Sequence, residues 1–128
     1  MGYVGCGNAL MLAKQHEVSI VDIDENKVEN FNNGQLPIHD AFAQQYFENE
    51  DLHLSATCNL NESIHDASFI ILSLPTNFDE TTKQYDTKII EEVVTQIIHE
   101  NIAALIIIKS TVNIGYTKSL NEKLGTKR

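Results

Sequence analysis

Met1-Gly2-Tyr3-Val4-Gly5, then a helical stretch, then Val18-Ser19-Ile20-Val21-Asp22: the reading of this 128-residue chain turns on that span. Two glycines open a helix, an apolar run follows, and a carboxylate ends the run twenty positions after Gly2. A dinucleotide site asks for that arrangement. Glycines let the backbone approach a pyrophosphate, the first turn of a helix offers unbonded N–H groups and positive potential, and a carboxylate ending the second strand accepts ribose hydroxyls. The span therefore reads as the back half of a dinucleotide-binding βαβ unit, with Asp22 on the ribose. The charge of Asp22 would also repel a 2′-phosphate, which favours NAD over NADP.

A full fingerprint has three glycines and a strand immediately before the first. Here Met1 stands between the expected first and second glycines, so the first strand is missing. In a doubly wound sheet of order 3-2-1-4-5-6 that strand is central and covered on both faces. Four buried Val or Ile side chains would contribute about 6–12 kcal/mol. A whole domain is stable by only about 5–15 kcal/mol. The expectation is a piece of a larger protein, marginally folded or aggregating through open strand edges when alone.

Outward from this span, apolar runs and helical patterns alternate without a repeat or a Pro/Gly-rich linker, the mark of an α/β fold with a parallel sheet. Strands are expected at Glu17 to Ile23, Leu52 to Thr57, Ser68 to Leu74 and Ala104 to Lys109. The last two are near-continuous Phe, Ile and Leu runs, as in strands covered by helices on both faces. Helices are expected at about Asn8 to Gln15, Glu25 to Asn32, Ala41 to Asn49, Lys88 to Asn101 and Tyr116 to Leu124. In the fourth, Ile89, Ile90, Val93, Val94, Ile97 and Ile98 recur at helical spacing, and Asp86 or Thr87 can cap it. Asp24 and Asp40 stand where caps of the second and third helices belong, and Gly34 reads as a helix stop. The fold expected is a single partial domain over 1–128, Rossmann-type and doubly wound, with a mostly parallel sheet lacking its first strand.

Composition excludes several functions. Eighteen acidic residues against nine Lys and Arg give a net charge of -9, which a nucleic acid backbone would repel. No apolar run approaches a membrane span, and no signal-peptide layout precedes the first helix. Cys6 where Ser or Thr is wanted argues against a myristoylation start. Cys6 and Cys58 match neither a disulfide framework nor a zinc spacing, which fits a reducing cytoplasm, and Cys6 reads as a small packing residue beside the glycines. His16, His39, His53, His65 and His99 share no metal spacing. Asp22-x-Asp24-x-Asn26 opens like a calcium loop, but Lys27 replaces its glycine and Asn33 its bidentate glutamate, so no metal is expected. Lys118, Lys123, Lys127 and Arg128 read as a solvated helix face. A signalling receiver could use Asp22, Asp24 and Lys109, yet Ser73 stands where its phosphoacceptor aspartate would be. A nucleotide-binding protein that kept the scaffold without catalysis stays open.

Gly2-Tyr3-Val4-Gly5, Val21-Asp22-Ile23, Leu36-Pro37-Ile38, Leu74-Pro75-Thr76-Asn77-Phe78-Asp79, Tyr85-Asp86-Thr87 and Ile108-Lys109-Ser110-Thr111-Val112 form an ordered set. Together they resemble the NAD-binding domain of UDP-glucose 6-dehydrogenases, within the UDP-glucose/GDP-mannose dehydrogenase family. The relatives that act on UDP-N-acetylmannosamine or GDP-mannose are less similar through the Pro-Thr-Asn-Phe-Asp loop. The resemblance implies that Gly2, Tyr3, Val4 and Gly5 form the pyrophosphate turn, Asp22 holds the adenosine ribose and Lys27 lies near the adenosine end. It implies that Leu74, Pro75 and Thr76 line the NAD cleft and that Thr111 reaches the reaction centre. The activity implied is oxidation of the C6 alcohol of UDP-glucose to a carboxylate by two NAD, through a thioester-forming cysteine. That cysteine, the central and UDP-sugar-binding domains and most contacts of the family's homodimer belong to sequence beyond residue 128, so residues 1–128 alone are expected to be inactive. One departure is Asn113, where the family usually has proline.

Overall fold

The computed structural model describes residues 1–100 and 103–126. The described chain divides into two compact units, Met1–Ser63 and Ile64–Arg128. In the first unit, α1 (Tyr3–Leu12), β1 (Val18–Val21), α2 (Glu25–Asn32), α3 (Ala41–Asn49) and β2 (Leu54–Thr57) follow in order, with α4 (Leu60–Ile64) at its end. The second holds β3 (Phe69–Leu72), β4 (Phe78–Asp79), β5 (Gln84–Tyr85), α5 (Lys88–His99), β6 (Leu105–Ile108) and α6 (Tyr116–Leu124).

The strands form two separate parallel pairs, β1 with β2 and β3 with β6, and the antiparallel hairpin β4–β5. Register runs Val18↔Leu54 to Val21↔Thr57 and Phe69↔Leu105 to Leu72↔Ile108. The α/β class and the parallel pairing agree with the sequence reading.

Buried Cys6, Leu10, Phe31, Leu36, Ile38 and Ala56 form the core of the first unit. The Phe31 and Phe47 rings lie 4.9 Å apart within it. Asp24 Oδ1 accepts the Asn26 and Lys27 N–H groups, and Asp40 Oδ1 accepts that of Ala43, so both caps act as expected. Gly34, at φ 87°, ends α2: its N–H reaches the Phe31 carbonyl while that of Gln35 reaches the Asn30 carbonyl. The Asn32 side chain then closes the free edge of β2. Its Nδ2 donates to the Ala56 carbonyl at 2.8 Å and its Oδ1 accepts the Ala56 N–H at 3.0 Å, a side chain standing in for a neighbouring strand.

In the second unit Ile70, Leu72, Ile90, Val94, Ile97, Ala104 and Leu120 are buried. Phe69 and its register partner Leu105 remain 64% and 48% exposed, so β3 and β6 are not covered on both faces as their apolar runs suggested. Alternation along the strands explains it: Ile70 and Leu72 take one face, Phe69 the other. Thr87 is the residue before α5 but makes no side-chain cap, whereas Asp86 Oδ1 accepts the Lys88 N–H. Lys123 is not merely solvated, since it pairs with Glu91 of α5. Asn101, Lys127 and Arg128, expected at helix ends, lie outside the described residues.

Candidate dinucleotide site

The largest revision concerns the glycine stretch. The helix starts at Tyr3, five residues before the expected Asn8, so Tyr3, Val4 and Gly5 are its first turn and, of the four residues expected in the pyrophosphate turn, Gly2 alone precedes it. The low helix propensity of Gly5 and Gly7 obscured this start in the sequence. The first intrahelical bond runs from the Cys6 N–H to the Gly2 carbonyl, at 2.9 Å. The N–H groups before it have no partner inside the helix, the property that suits an anion at this end.

Gly2 has φ -120° and ψ -174°, an extended backbone open to any residue, and a Cβ there would meet nothing within 4 Å. The described protein thus gives no internal reason for glycine at position 2. Close approach of a ligand does give one, so the residues present fit a dinucleotide pyrophosphate. Tyr3 and Val4 are exposed, at 61% and 54%, and the Tyr3 hydroxyl reaches 3.5 Å from the His39 carbonyl. Cys6, one residue past the turn, is fully buried, and burial pushes its thiol up despite the helix terminus, in keeping with a packing role.

Asp22 follows β1, and its N–H still reaches the Thr57 carbonyl at 3.2 Å. One carboxylate oxygen accepts the Asp24 N–H at 3.0 Å, and the other lies against the Met1 backbone nitrogen, next to Gly2. The carboxylate is therefore aimed back at the start of α1. Lys27, in the first turn of α2, stands near enough for its charge to act on this end of the unit. Ile23 is 94% exposed beside Asp22, an apolar side chain in the open directly after the carboxylate. In this unit Gly2 to Gly5, Asp22 and Lys27 come together.

The second unit brings together the other candidates. Leu74, Pro75 and Thr76 leave β3; Ser110 and Thr111 leave β6. The Lys109 N–H makes the last rung of the ladder, to the Leu72 carbonyl at 2.8 Å. Ser110 Oγ then accepts the Leu74 N–H at 2.8 Å, and the Thr76 and Thr111 hydroxyls lie 2.7 Å apart. Asn113, where proline was expected, accepts the Tyr85 N–H at 3.3 Å through Oδ1, a bond proline lacks the side chain to make. It ties this loop to the hairpin, whose Phe78 and Tyr85 rings are 5.0 Å apart.

A helix terminus with an unhindered glycine, facing a carboxylate that ends the next parallel strand, defines a dinucleotide-binding α/β domain. The chain belongs to the UDP-glucose/GDP-mannose dehydrogenase family, as its NAD-binding domain, whose family model matches residues 1–128. Its cofactor is NAD. It is 41% identical over 125 residues to UDP-glucose 6-dehydrogenase of Campylobacter jejuni, across 96% of this chain and 32% of that protein. Against the UDP-glucose 6-dehydrogenase of Streptococcus pneumoniae the identity is 37% over 127 residues, 99% of this chain and 32% of that protein. The chain spans about a third of the length of these relatives. Among solved structures, the native UDP-N-acetyl-mannosamine dehydrogenase of Staphylococcus aureus matches with TM-score 0.79 at 24% identity, over 99% of this chain and 32% of that one. A ternary complex of GDP-mannose dehydrogenase from Pseudomonas aeruginosa matches with TM-score 0.78 at 22% identity, over 98% and 31%. Both share the fold. Among the described residues no helix is long and apolar enough to cross a membrane.

Proposed function

We propose that the chain is the NAD-binding part of a longer UDP-glucose 6-dehydrogenase, which oxidises the C6 alcohol of UDP-glucose to a carboxylate. The observation that carries the NAD site is the Asp22 carboxylate, aimed at the Gly2 end of α1. Identity of 37–41% to two UDP-glucose 6-dehydrogenases supports the substrate. NAD, when bound, accepts two electrons and a proton equivalent from the substrate carbon, once in each of two oxidation steps.

Gly2 and Gly5 admit the pyrophosphate to the free N–H groups of the first turn, with Tyr3 and Val4 beside it. Asp22 accepts the adenosine ribose hydroxyls, Lys27 stands at the adenosine end, and Ile23 offers the adenine an apolar face. Leu74, Pro75 and Thr76 line the cofactor cleft of the complete enzyme, and the Thr111 hydroxyl serves the reaction centre. The thioester-forming cysteine belongs to the remainder of the enzyme. The family's span from UDP-glucose to GDP-mannose dehydrogenases defines the second reading, in which a related nucleotide sugar is oxidised.

NAD and NADP titrations, with assays on UDP-glucose, UDP-N-acetylmannosamine and GDP-mannose, test the proposal in the full-length protein that carries this chain. UDP-glucose should be oxidised, with NAD preferred. Asp22→Ala should weaken NAD by about tenfold or more, the worth of a charge-assisted hydrogen bond, and erase the preference over NADP. Oxidation of GDP-mannose alone moves the second reading to the front, and an Asp22→Ala variant that binds NAD like the parent removes Asp22 from the site.

A further inference from the structure

Between β3 and the Thr76–Thr111 hydroxyl pair lies one side chain that the proposed mechanism does not use. Ser110 is the second residue after β6, and its hydroxyl sits where the ladder with β3 runs out. The Leu72 carbonyl takes the last rung from the Lys109 N–H at 2.8 Å, and the Ser110 N–H also approaches it, at 3.2 Å. Past that point Pro75 has no N–H to continue a ladder and biases Leu74 toward extended conformations. The Ser110 hydroxyl replaces the missing rung: it accepts the Leu74 N–H at 2.8 Å and lies 3.4 Å from the Leu72 carbonyl, to which it can donate.

We propose that Ser110 is the positioning residue of the cofactor loop, its hydroxyl fixing the Leu74 backbone so that Pro75 and Thr76 are delivered to the Thr111 hydroxyl. The proposal rests on the reading of Leu74 to Thr76 as NAD-contacting. Two polar links then set the loop, one from Ser110 to the Leu74 backbone and one between the Thr76 and Thr111 side chains. A loop held at one end by Ser110 arrives at the cofactor already ordered. Without the hydroxyl, NAD binding itself must order the loop, so the loss should fall on cofactor affinity rather than on the chemical step.

The test compares Ser110→Ala and Ser110→Thr with the parent in the full-length protein, measuring NAD affinity, KM for NAD, kcat, melting temperature and amide exchange at Leu74. Ser110→Ala should raise the NAD dissociation constant and KM by about three- to tenfold, the scale of one neutral hydrogen bond, with kcat within about twofold. Exchange at Leu74 should quicken by a similar factor. Ser110→Thr keeps the hydroxyl and should restore parental NAD affinity, which a purely packing role for the serine would not do. Ser110→Ala that matches the parent in NAD affinity, or Ser110→Thr as weak as Ser110→Ala, overturns the proposal while leaving NAD binding intact. A parent protein that fails to bind NAD overturns the dinucleotide reading, and this proposal with it.

Discussion

The two units of the chain carry the same kind of strand pair and gather different chemistry past its end. In Met1–Ser63 the groups gathered at the ends of β1 and α1 are charges and unbonded N–H groups: Asp22, Lys27 and the first turn behind Gly2. In Ile64–Arg128 the groups gathered past β3 and β6 are neutral hydroxyls and amides that bond to one another, Ser110 to Leu74, Thr76 to Thr111 and Asn113 to Tyr85. Under the proposed function the first unit would act on a charged ligand by attraction, and the second by the shape of its loops. Charge and helix termini act on a ligand directly, whereas a network of neutral hydrogen bonds acts by fixing where its members stand.

The sharpest way to break this contrast is at Gly2. Since a Cβ there meets nothing within 4 Å, Gly2→Ala should lower stability by less than about 1 kcal/mol, the scale of an N-cap change. A methyl group pressed against the pyrophosphate should cost about 1–3 kcal/mol of NAD binding, up to about a hundredfold in Kd. Calorimetric titration and melting curves on the full-length protein separate the two effects. A variant that melts early and binds NAD normally would show that the glycine serves the fold.

Asn32 tests whether the first unit also depends on a side-chain-to-backbone link. Asn32→Ala leaves the N–H and carbonyl of buried Ala56 without their partners, a loss of about 1–3 kcal/mol. Amide exchange at Ala56 should quicken by the corresponding factor, and NAD affinity should fall by less than in Gly2→Ala. Asn32→Asp keeps the acceptor but not the donor and should fall between. If Asn32→Ala leaves Ala56 as protected as before, the edge of β2 is held by something other than this clamp.

The contrast also explains what the sequence made legible. The first unit could be read from residue types because its chemistry lies in spacing: a glycine, a helix, an apolar run and an acid twenty positions on. The α2, α3 and α6 spans and the parallel pairing followed from caps and periodicity. The site of the second unit was available only through resemblance, since Thr76 and Thr111 are thirty-five positions apart and nothing in either signals the other. The hairpin was missed because strands of two residues, Phe78–Asp79 and Gln84–Tyr85, show no alternation. The short helix α4 was missed for the same lack of length, although Asn59, whose Oδ1 accepts the Glu62 N–H at 3.3 Å, marks its start. Asn113 could not be read as a hydrogen-bonding residue until its partner Tyr85 was placed beside it.

The smallest effect concerns backbone rather than site. Each unit has a turn that enters the left-handed region, at Gly34 with φ 87° and at Lys83 with φ 56°. The first unit places glycine there, and the second, which has glycine at its other left-handed positions Gly115 and Gly125, places a side chain at Lys83 at a local cost of about 1–2 kcal/mol. Lys83→Gly relieves that strain but gives the unfolded chain more freedom, worth about 0.4–1 kcal/mol in the opposite direction. The net gain should be about 0.5 kcal/mol in the full-length protein. Gly34→Ala runs the exchange backwards and should lose a similar or larger amount, since a Cβ gains no contact at a position where nothing lies within 4 Å. Chemical denaturation of both variants measures the pair. Opposite signs would confine the difference between the two turns to backbone conformation; a loss in Lys83→Gly would mean that the lysine side chain contributes to the hairpin more than its strained backbone costs.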